Sequence, residues 1–512
     1  MKILSKNASD TETKDTCNND KYHTPEQALK ILFGYDSFRA GQKSVIDSIL
    51  AGRDAFAVMP TGAGKSVCYQ IPAVLLPGIT LVVSPLISLM QDQVKALNEA
   101  GVPAAFINSS LSEKDYNETI RRARQGIYKI IYIAPERLVT EGFLALAKSV
   151  PISMVTVDEA HCISQWGQDF RPSYMKIVEF VKTLEKRPII SAFTATATET
   201  VREDIVCTLG LQNPFTLVNG FDRENLFFQV EKPKNKEQYI LKYISEHSGD
   251  SGIIYCATRK NVDNIYELLK SKGISVGKYH AGMNAEERKK MQDDFVFDYT
   301  SIVVATNAFG MGIDKSNVRF VIHYNMPQSM ENYYQEAGRA GRDGLDAKCI
   351  LLFSPQDIVI NWFLLDHKEM QDLDPADRET VRERDVRRLQ VMERYCYTTE
   401  CLRNYILKYF GENPKKPCQD CGNCLREFET LDMTEAAKKV INCVYEAKGR
   451  YGRQIIIDTV AGAKTARLEE IGAVRYKSYG VLAGTNKNLL RRLIEQLVLE
   501  GYLRVGDYQV LK

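Results

Sequence analysis

The sequence predicts an α/β protein: two parallel-sheet domains in tandem, then a helical, cysteine-bearing subdomain and a small C-terminal module of helices and a hairpin. Three observations carry this. Short β-branched runs alternate with helical segments in two successive series, the pattern of parallel sheets covered on both faces. A glycine-rich turn, Met59–Ser66 (M-P-T-G-A-G-K-S), joins strand to helix in the first series only. Four cysteines, Cys401, Cys418, Cys421 and Cys424, gather beyond the second series. The expected divisions are a disordered tail over 1–22, α/β domains over 23–218 and 219–355, a helical zinc-binding subdomain over 356–430 and a C-terminal module over 431–512.

The 512 residues, 44% hydrophobic and 26% charged, suffice for several folded domains. No run approaches the ~18 apolar residues of a membrane span. The N-terminus lacks the apolar core and cleavage site of a secretory signal. Net charge is +2 but graded: nineteen basic and thirteen acidic residues give +6 over 401–512, leaving −4 for residues 1–400. The C-terminal part is thus the better phosphate-backbone candidate, although an ordinary solvated surface carries such a charge equally well. Eight of the twelve cysteines are scattered. Cys162, Cys207, Cys256 and Cys349 sit in apolar segments and read as buried free thiols in a reducing compartment.

In chain order, residues 1–22 are polar with little to bury. Thr24-Pro25-Glu26-Gln27 reads as a helix start, with an N-cap threonine, proline at the first position and a glutamine three residues on. Tyr35, Arg39 and Gln42 follow: an aromatic ring, a guanidinium plane and an amide, the parts needed to hold adenine, or else a hydrophobic helix connection. Ala55–Val58 reads as a strand and Val67 onward as a helix. Between them Thr61, Gly62 and Gly64 bring backbone N–H groups to an anion, Lys65 reaches outer phosphates and the Ser66 hydroxyl is a Mg²⁺ ligand. Met59 departs from the strict phosphate-loop pattern, and an ordinary glycine turn remains the alternative.

Further strands are expected at Thr80–Val83, Lys129–Ile133, Met154–Val157 and Ile189–Phe193, then at Gly252–Cys256, Val276–His280, Ile302–Ala305, Phe320–His323 and Lys348–Phe353. Functional residues of such sheets gather at the carboxyl ends of strands. Asp158-Glu159 stands at one: Asp158 suits Mg²⁺ and Glu159 a water-activating base, against the alternative of two surface acids. The second series has no phosphate loop but offers Gln335–Gly344, whose Arg339 and Arg342 are expected on one helix face. Cations reaching the first domain's loop from there would neutralise developing phosphoryl charge and couple hydrolysis to closure. Ile163–Pro172 carries Trp166, Phe170 and Arg171, suited to stacking on bases, with Trp166 as a core plug the alternative.

The cysteines can close a tetrahedral structural Zn²⁺ site, with Cys401 expected inside a helical stretch over Thr399–Phe410. Cys396 is the alternative fourth ligand and an iron–sulfur cluster the alternative metal. Thr434–Lys512 reads as three helices and a hairpin turning at Gly506-Asp507, with Lys487, Arg491 and Arg492 on the last helix. That is a winged helix-turn-helix, a plan used on duplex DNA and also by protein-interaction modules.

Together these stretches resemble the RecQ family of DNA helicases, of bacterial type, within helicase superfamily 2. The resemblance covers about Thr24 to Lys512 and rests on Phe33–Gln42, Met59–Ser66, Ser84–Leu89, Asp158–His161, Ser164–Pro172, Thr194–Thr196, Gln335–Arg342, the four cysteines and the final module. It implies two tandem RecA-like motor domains before the zinc-binding and winged-helix domains. It implies ATP, Mg²⁺ and Zn²⁺, and 3′-to-5′ movement on single-stranded DNA to unwind duplex in recombination and repair. Tyr35 and Arg39 would sandwich adenine and Gln42 bond its edge. Lys65, Ser66, Asp158, Glu159, Gln335, Arg339 and Arg342, the arginine finger, would serve hydrolysis. Ser84, Trp166, Phe170, Arg171, Lys487 and Arg491 would meet DNA. A cytoplasmic, nucleoid-associated monomer with no membrane role is expected, with single-stranded-DNA-binding protein as a further partner. Ala40, Ala63, Gln168 and Glu224 depart from the family pattern, and a member lacking the family's HRDC module is expected. The competing readings are an RNA-directed relative and a zinc-stabilised DNA-binding regulator with a vestigial ATP site.

Overall fold

A computed structural model of the chain describes residues 23–310, 315–368, 375–428, 431–504 and 510–512. The tail expected over 1–22 and the turn expected at Gly506-Asp507 lie outside these. The chain divides into two compact units, one ending at Leu425 and one over Arg426–Lys512.

Among the described residues, seven strands form the first sheet: β1 (Ala55–Val58), β2 (Ile79–Val83), β3 (Ala104–Ile107), β4 (Ile130–Ile133), β5 (Ile152–Val157), β6 (Ile189–Thr194) and β7 (Phe215–Val218). All pair in parallel, in the order β3-β4-β2-β5-β6-β1-β7. β1, β2 and β4 are buried throughout, as strands covered by helices on both faces must be. The order sets the carboxyl ends of β1, β6 and β5 side by side. Asp54, buried just before β1, fixes that register: it accepts from Arg187 (2.6 Å) and from the backbone N–H groups of Ile190 (2.9 Å) and Gln212 (2.7 Å).

Among the described residues, six strands form the second sheet: β8 (Leu226–Glu231), β9 (Ser251–Tyr255), β10 (Val276–Tyr279), β11 (Ile302–Ala305), β12 (Val318–His323) and β13 (Ala347–Leu352), ordered β10-β11-β9-β12-β13-β8 and again parallel. β3, β7 and β8 were not foreseen. All three close sheet edges: β8 buries alternate residues, β7 alternates half-buried with exposed ones, and β3 is alanine-rich, so none shows a continuous β-branched run.

The scattered thiols are buried at Cys68, Cys162, Cys256, Cys349, Cys396 and Cys443, but Cys207 is exposed. Val201, Ile205 and Leu209 form the buried stripe of helix Glu199–Thr208 and its cap, which turns Cys207 outward.

In the C-terminal unit the α-helices are Thr434–Glu446, Arg453–Val460, Ala466–Glu470 and Lys487–Leu499, so a short fourth helix, capped by Thr465, joins the three expected. Val440, Val444, Ile456, Val460, Leu490, Ile494 and Leu511 share its core. Arg504 and Lys512 exchange backbone hydrogen bonds (2.7 and 2.8 Å) and Val510 bridges Gly452, giving a small antiparallel wing. Among the described residues no helix is long and apolar enough to cross a membrane.

Candidate active site

The glycine-rich turn leaves β1 and enters helix Lys65–Leu75. Gly62 (φ +82°) and Gly64 (φ +81°) take left-handed backbone that a side chain would strain, and this opens the loop toward an anion. The loop forms part of a cleft of about 600 Å³ between the two sheets. From the first sheet come Tyr35, Arg39, Gln42, Thr61, Lys65, Ser66, Asp158 and Glu159; from the second come Gln335, Arg339 and Arg342. Every residue expected to serve nucleotide chemistry therefore lines one cavity.

Gln42 is buried and spans the loop: its Oε1 accepts from Arg39 N (2.8 Å) and its Nε2 donates to the carbonyls of Ala63 (3.1 Å) and Gly64 (3.2 Å). The Arg39 guanidinium bonds the Gly62 carbonyl. These groups brace the phosphate loop here, and Tyr35 stands exposed at the cleft wall.

Lys65 Nζ lies 3.7 Å from Glu159 Oε1. Burial and the adjacent Glu159 push Asp158 up, to about 6. Burial would raise Glu159 as well, but Lys65 and His161 outweigh it and hold that carboxyl at about 2. Burial also opposes charge on His161; Cys162 and Glu159 prevail and raise it to about 10. A charged His161 can donate from Nδ1 to Thr194 Oγ1 (2.9 Å), which donates on to the Thr196 carbonyl (3.2 Å). Thr196 in turn receives the Gln335 amide (3.2 Å), a bond from the second sheet to the first.

Gln168, one of the departures from the family pattern, lies beside His161. Its Nε2 lies 3.5 Å from His161 Nε2, and its buried Oε1 has no hydrogen-bond partner among the described residues. Turning the amide by 180° lets Oε1 accept from a protonated His161. Gln168 thereby ties the aromatic loop to the residue that holds Glu159. His161 lies within the Asp158–His161 stretch, but its role follows only from this geometry.

Arg339 and Arg342 do not share a helix face. The helix ends at Ala337, Gly338 caps it, and Gly341 (φ +57°) turns the chain. Both arginines leave this turn toward the cleft, and Arg339 bonds the Gly310 carbonyl.

Trp166 is 44% exposed, which removes the core-plug reading. The Arg384 guanidinium lies 5.1 Å above its ring and Arg388 bonds its carbonyl. Both arginines come from helix Pro375–Tyr397, more than two hundred residues away, and nothing in the sequence links them to the loop. Arg171 pairs with Asp169 (2.7 Å) and donates to the Pro85 carbonyl (3.2 Å); Phe170 is half-buried beside it. Ser84 ends up fully buried, so its hydroxyl does not face solvent. In the C-terminal unit Lys487 pairs with Asp458 (2.7 Å) and Arg491 reaches Asn488 (3.2 Å), both on the exposed face of helix Lys487–Leu499.

The sulfurs of Cys401, Cys418, Cys421 and Cys424 lie within 4.8 Å of one another, with Cys401–Cys421 at 4.0 Å and Cys418–Cys424 at 3.9 Å. Zn–S bonds of about 2.3 Å place tetrahedral ligands about 3.8 Å apart, so the set fits zinc. Backbone N–H groups of Asn404 (3.4 Å) and Cys418 (3.3 Å) point at the Cys401 sulfur, as suits a thiolate. Burial opposes ionisation of Cys421, but the backbone N–H groups of Cys424 and Leu402 help bring its thiol down to about 7. Cys401 is the N-cap of helix Leu402–Tyr409 and not inside it; helix entry lets its sulfur meet the later loop. Cys396 lies outside the cluster.

Comparison with known proteins follows this division. The DEAD/DEAH box helicase model matches residues 39–204, the helicase conserved C-terminal domain 235–344, the RecQ zinc-binding model 355–425 and the RQC domain 427–512. ATP-dependent DNA helicase RecQ of Bacillus subtilis is 44% identical over 95% of this chain and 81% of its own length. The chain belongs to the RecQ family of helicases. The Pasteurella multocida RecQ is 40% identical over 94% of this chain and 75% of its own. Among solved structures, yeast Dbp5 bound to RNA and ADP BeF3 aligns over 72% of this chain and 97% of its own at TM-score 0.54 and 18% identity. Mss116 bound to single-stranded RNA aligns over 76% of this chain and 87% of its own at TM-score 0.56 and 17% identity. At such identities these two support the RecA-like motor fold alone. RecQ membership makes the chain a helicase that uses ATP, with a zinc-binding element and a winged-helix RQC domain.

Proposed function

We propose that this chain moves 3′ to 5′ along single-stranded DNA and unwinds the duplex ahead of it, in recombination and repair. The observation that carries the motor reading is that Lys65 and Glu159 of the first sheet share one cleft with Arg339 and Arg342 of the second. In this reading Lys65 leaves Glu159 for the β- and γ-phosphates, and Gln42 releases the loop carbonyls to bond adenine between Tyr35 and Arg39. Glu159, held ionised, accepts a proton from the attacking water as oxygen bonds to the γ-phosphorus and ADP departs. Arg342 meets the charge that develops on the transferred phosphoryl group, with Arg339 and Gln335 ordering the turn. Ser66 and Asp158 would hold Mg²⁺, which when bound offsets phosphate charge.

Trp166, Phe170 and Arg171 would contact the single strand, and the Gln168–His161 contact supports a path from that loop to Glu159. Lys487 and Arg491 would contact duplex phosphates. Duplex unwinding accords with the relatives' name of ATP-dependent DNA helicase, while direction and the repair role rest on the resemblance of the motifs alone. Since one chain supplies both halves of the cleft, a monomer suffices. We place it in the cytoplasm with the nucleoid, with single-stranded-DNA-binding protein as a partner.

Strand separation measured with ATP and Mg²⁺ tests this: a 3′-tailed duplex should be unwound and a 5′-tailed one left intact. Unwinding of the 5′-tailed substrate alone would overturn the direction, and ATPase activity indifferent to single-stranded DNA would overturn the motor reading.

A further inference from the structure

The segment joining the two sheets, between β7 and β8, is held by residues from three parts of the chain. Phe221 stacks on Phe410 (4.4 Å between centroids, 10° between planes), and its carbonyl accepts from the Tyr334 hydroxyl (2.8 Å). Buried Arg403, two residues beyond Cys401, donates to Asp222 Oδ1 (3.0 Å) and to the carbonyls of Arg223 (2.9 Å), Glu224 (3.2 Å) and Leu226 (3.0 Å).

The segment then reaches the turn that carries the arginines. Arg223 donates to the carbonyls of Ala340 (3.2 Å) and Gly341 (2.9 Å), and Asn225 Nδ2 to those of Gly341 (2.8 Å) and Leu345 (2.8 Å). A Cβ on Gly341 would lie 2.4 Å from Asn225 Nδ2, so the approach is as close as glycine allows. The Gly341 carbonyl belongs to the same planar peptide group as the Arg342 N–H. Donors fixed on that oxygen therefore orient the plane from which the Arg342 side chain departs.

We propose that Arg223 and Asn225 are positioning residues for Arg342, and that Arg403 extends the control to the zinc-binding element. The proposal rests on the reading of Arg342 as the arginine finger. Displacement of a reacting group by about 1 Å costs on the order of 10²-fold in rate, so loosening one of two anchors should cost less.

The test is a double-mutant cycle on DNA-stimulated ATPase activity in the full chain, with zinc content and single-stranded-DNA affinity measured alongside. Asn225→Ala should lower kcat about tenfold with KM for ATP within about twofold, since a lost transition-state contact acts on kcat. In an Arg342→Ala background the same change should add less than about twofold, because coupled residues are not additive. Arg223→Lys, which keeps the charge and one donor, should show a smaller loss of the same kind and serves if Asn225→Ala does not fold. An equal kcat loss in both backgrounds, or a rise in KM at unchanged kcat, overturns the proposal. If Arg342→Ala alone leaves kcat intact, the finger reading itself is wrong, and that outcome is distinct from additivity.

Discussion

Gly62 of the phosphate loop and Arg342 of the second sheet are in contact: a Cβ built on Gly62 would sit 3.2 Å from Arg342 Cγ. The two halves of the site therefore meet through the stem of an arginine and the bare face of a glycine. Gly62→Ala meets two obstacles, a φ of +82° that costs about 1–2 kcal/mol for a side chain and the arginine stem itself. We expect kcat for ATP hydrolysis to fall about tenfold or more, with single-stranded-DNA affinity retained. Unchanged turnover would show that the two groups need not meet.

Glu159→Gln removes the proton acceptor and keeps its shape. DNA-stimulated hydrolysis should drop about 10²–10⁴-fold, the range for loss of a general base, while a fluorescent ATP analogue still binds. Lys65→Ala, by contrast, should lose nucleotide binding as well. Equal binding defects in the two variants would contradict the division of roles.

The cysteine set makes a prediction with a sign in pH. Zinc requires thiolates, and backbone N–H groups of Cys424 and Leu402 favour the ionised form of Cys421. Release of zinc to a chelator should accelerate as pH falls, because protons then compete with the metal for the sulfurs. Cys418→Ser should lower both zinc content and Tm, and Cys396→Ser should leave zinc content unchanged. Loss of zinc from Cys396→Ser would require a different ligand set.

Arg384 offers an optical test of the aromatic loop. The chain has two tryptophans, so Trp362→Phe leaves Trp166 as a single reporter. Arg384→Ala removes a cation–π contact of about 0.5–2 kcal/mol and should alter Trp166 emission and raise its anisotropic mobility before DNA is added. Identical spectra with and without Arg384 would mean that the guanidinium does not restrain the ring.

Much of this molecule was legible from sequence because its determinants are local. β-branched runs bounded by turn residues located ten of the thirteen strands among the described residues, and Thr61–Ser66, Asp158-Glu159 and Cys418–Cys424 each carry their chemistry within a few residues. The edge strands β7 and β8 escaped because half-buried edges need no continuous apolar run. The helix face expected for Arg339 and Arg342 failed because Gly341 turns the chain between them, and the spacing alone does not reveal that.

The sequence by itself determined the fold class, the phosphate loop, the acid pair and the Cys418–Cys424 sulfur cluster, and the structure chose Cys401 over Cys396 as its fourth member. Only tertiary structure decided which distant residues act on them: Arg342 against Gly62, Gln168 against His161, Arg384 over Trp166, and Arg223 with Asn225 on Gly341. Local patterns mark strands, caps and loops because side-chain alternation, capping bonds and turn residues act within a few residues, whereas the strand ladders join distant segments, as β1 does with β6. The pairing of side chains across sheets depends on strand order and on where each connection returns, which no local period encodes.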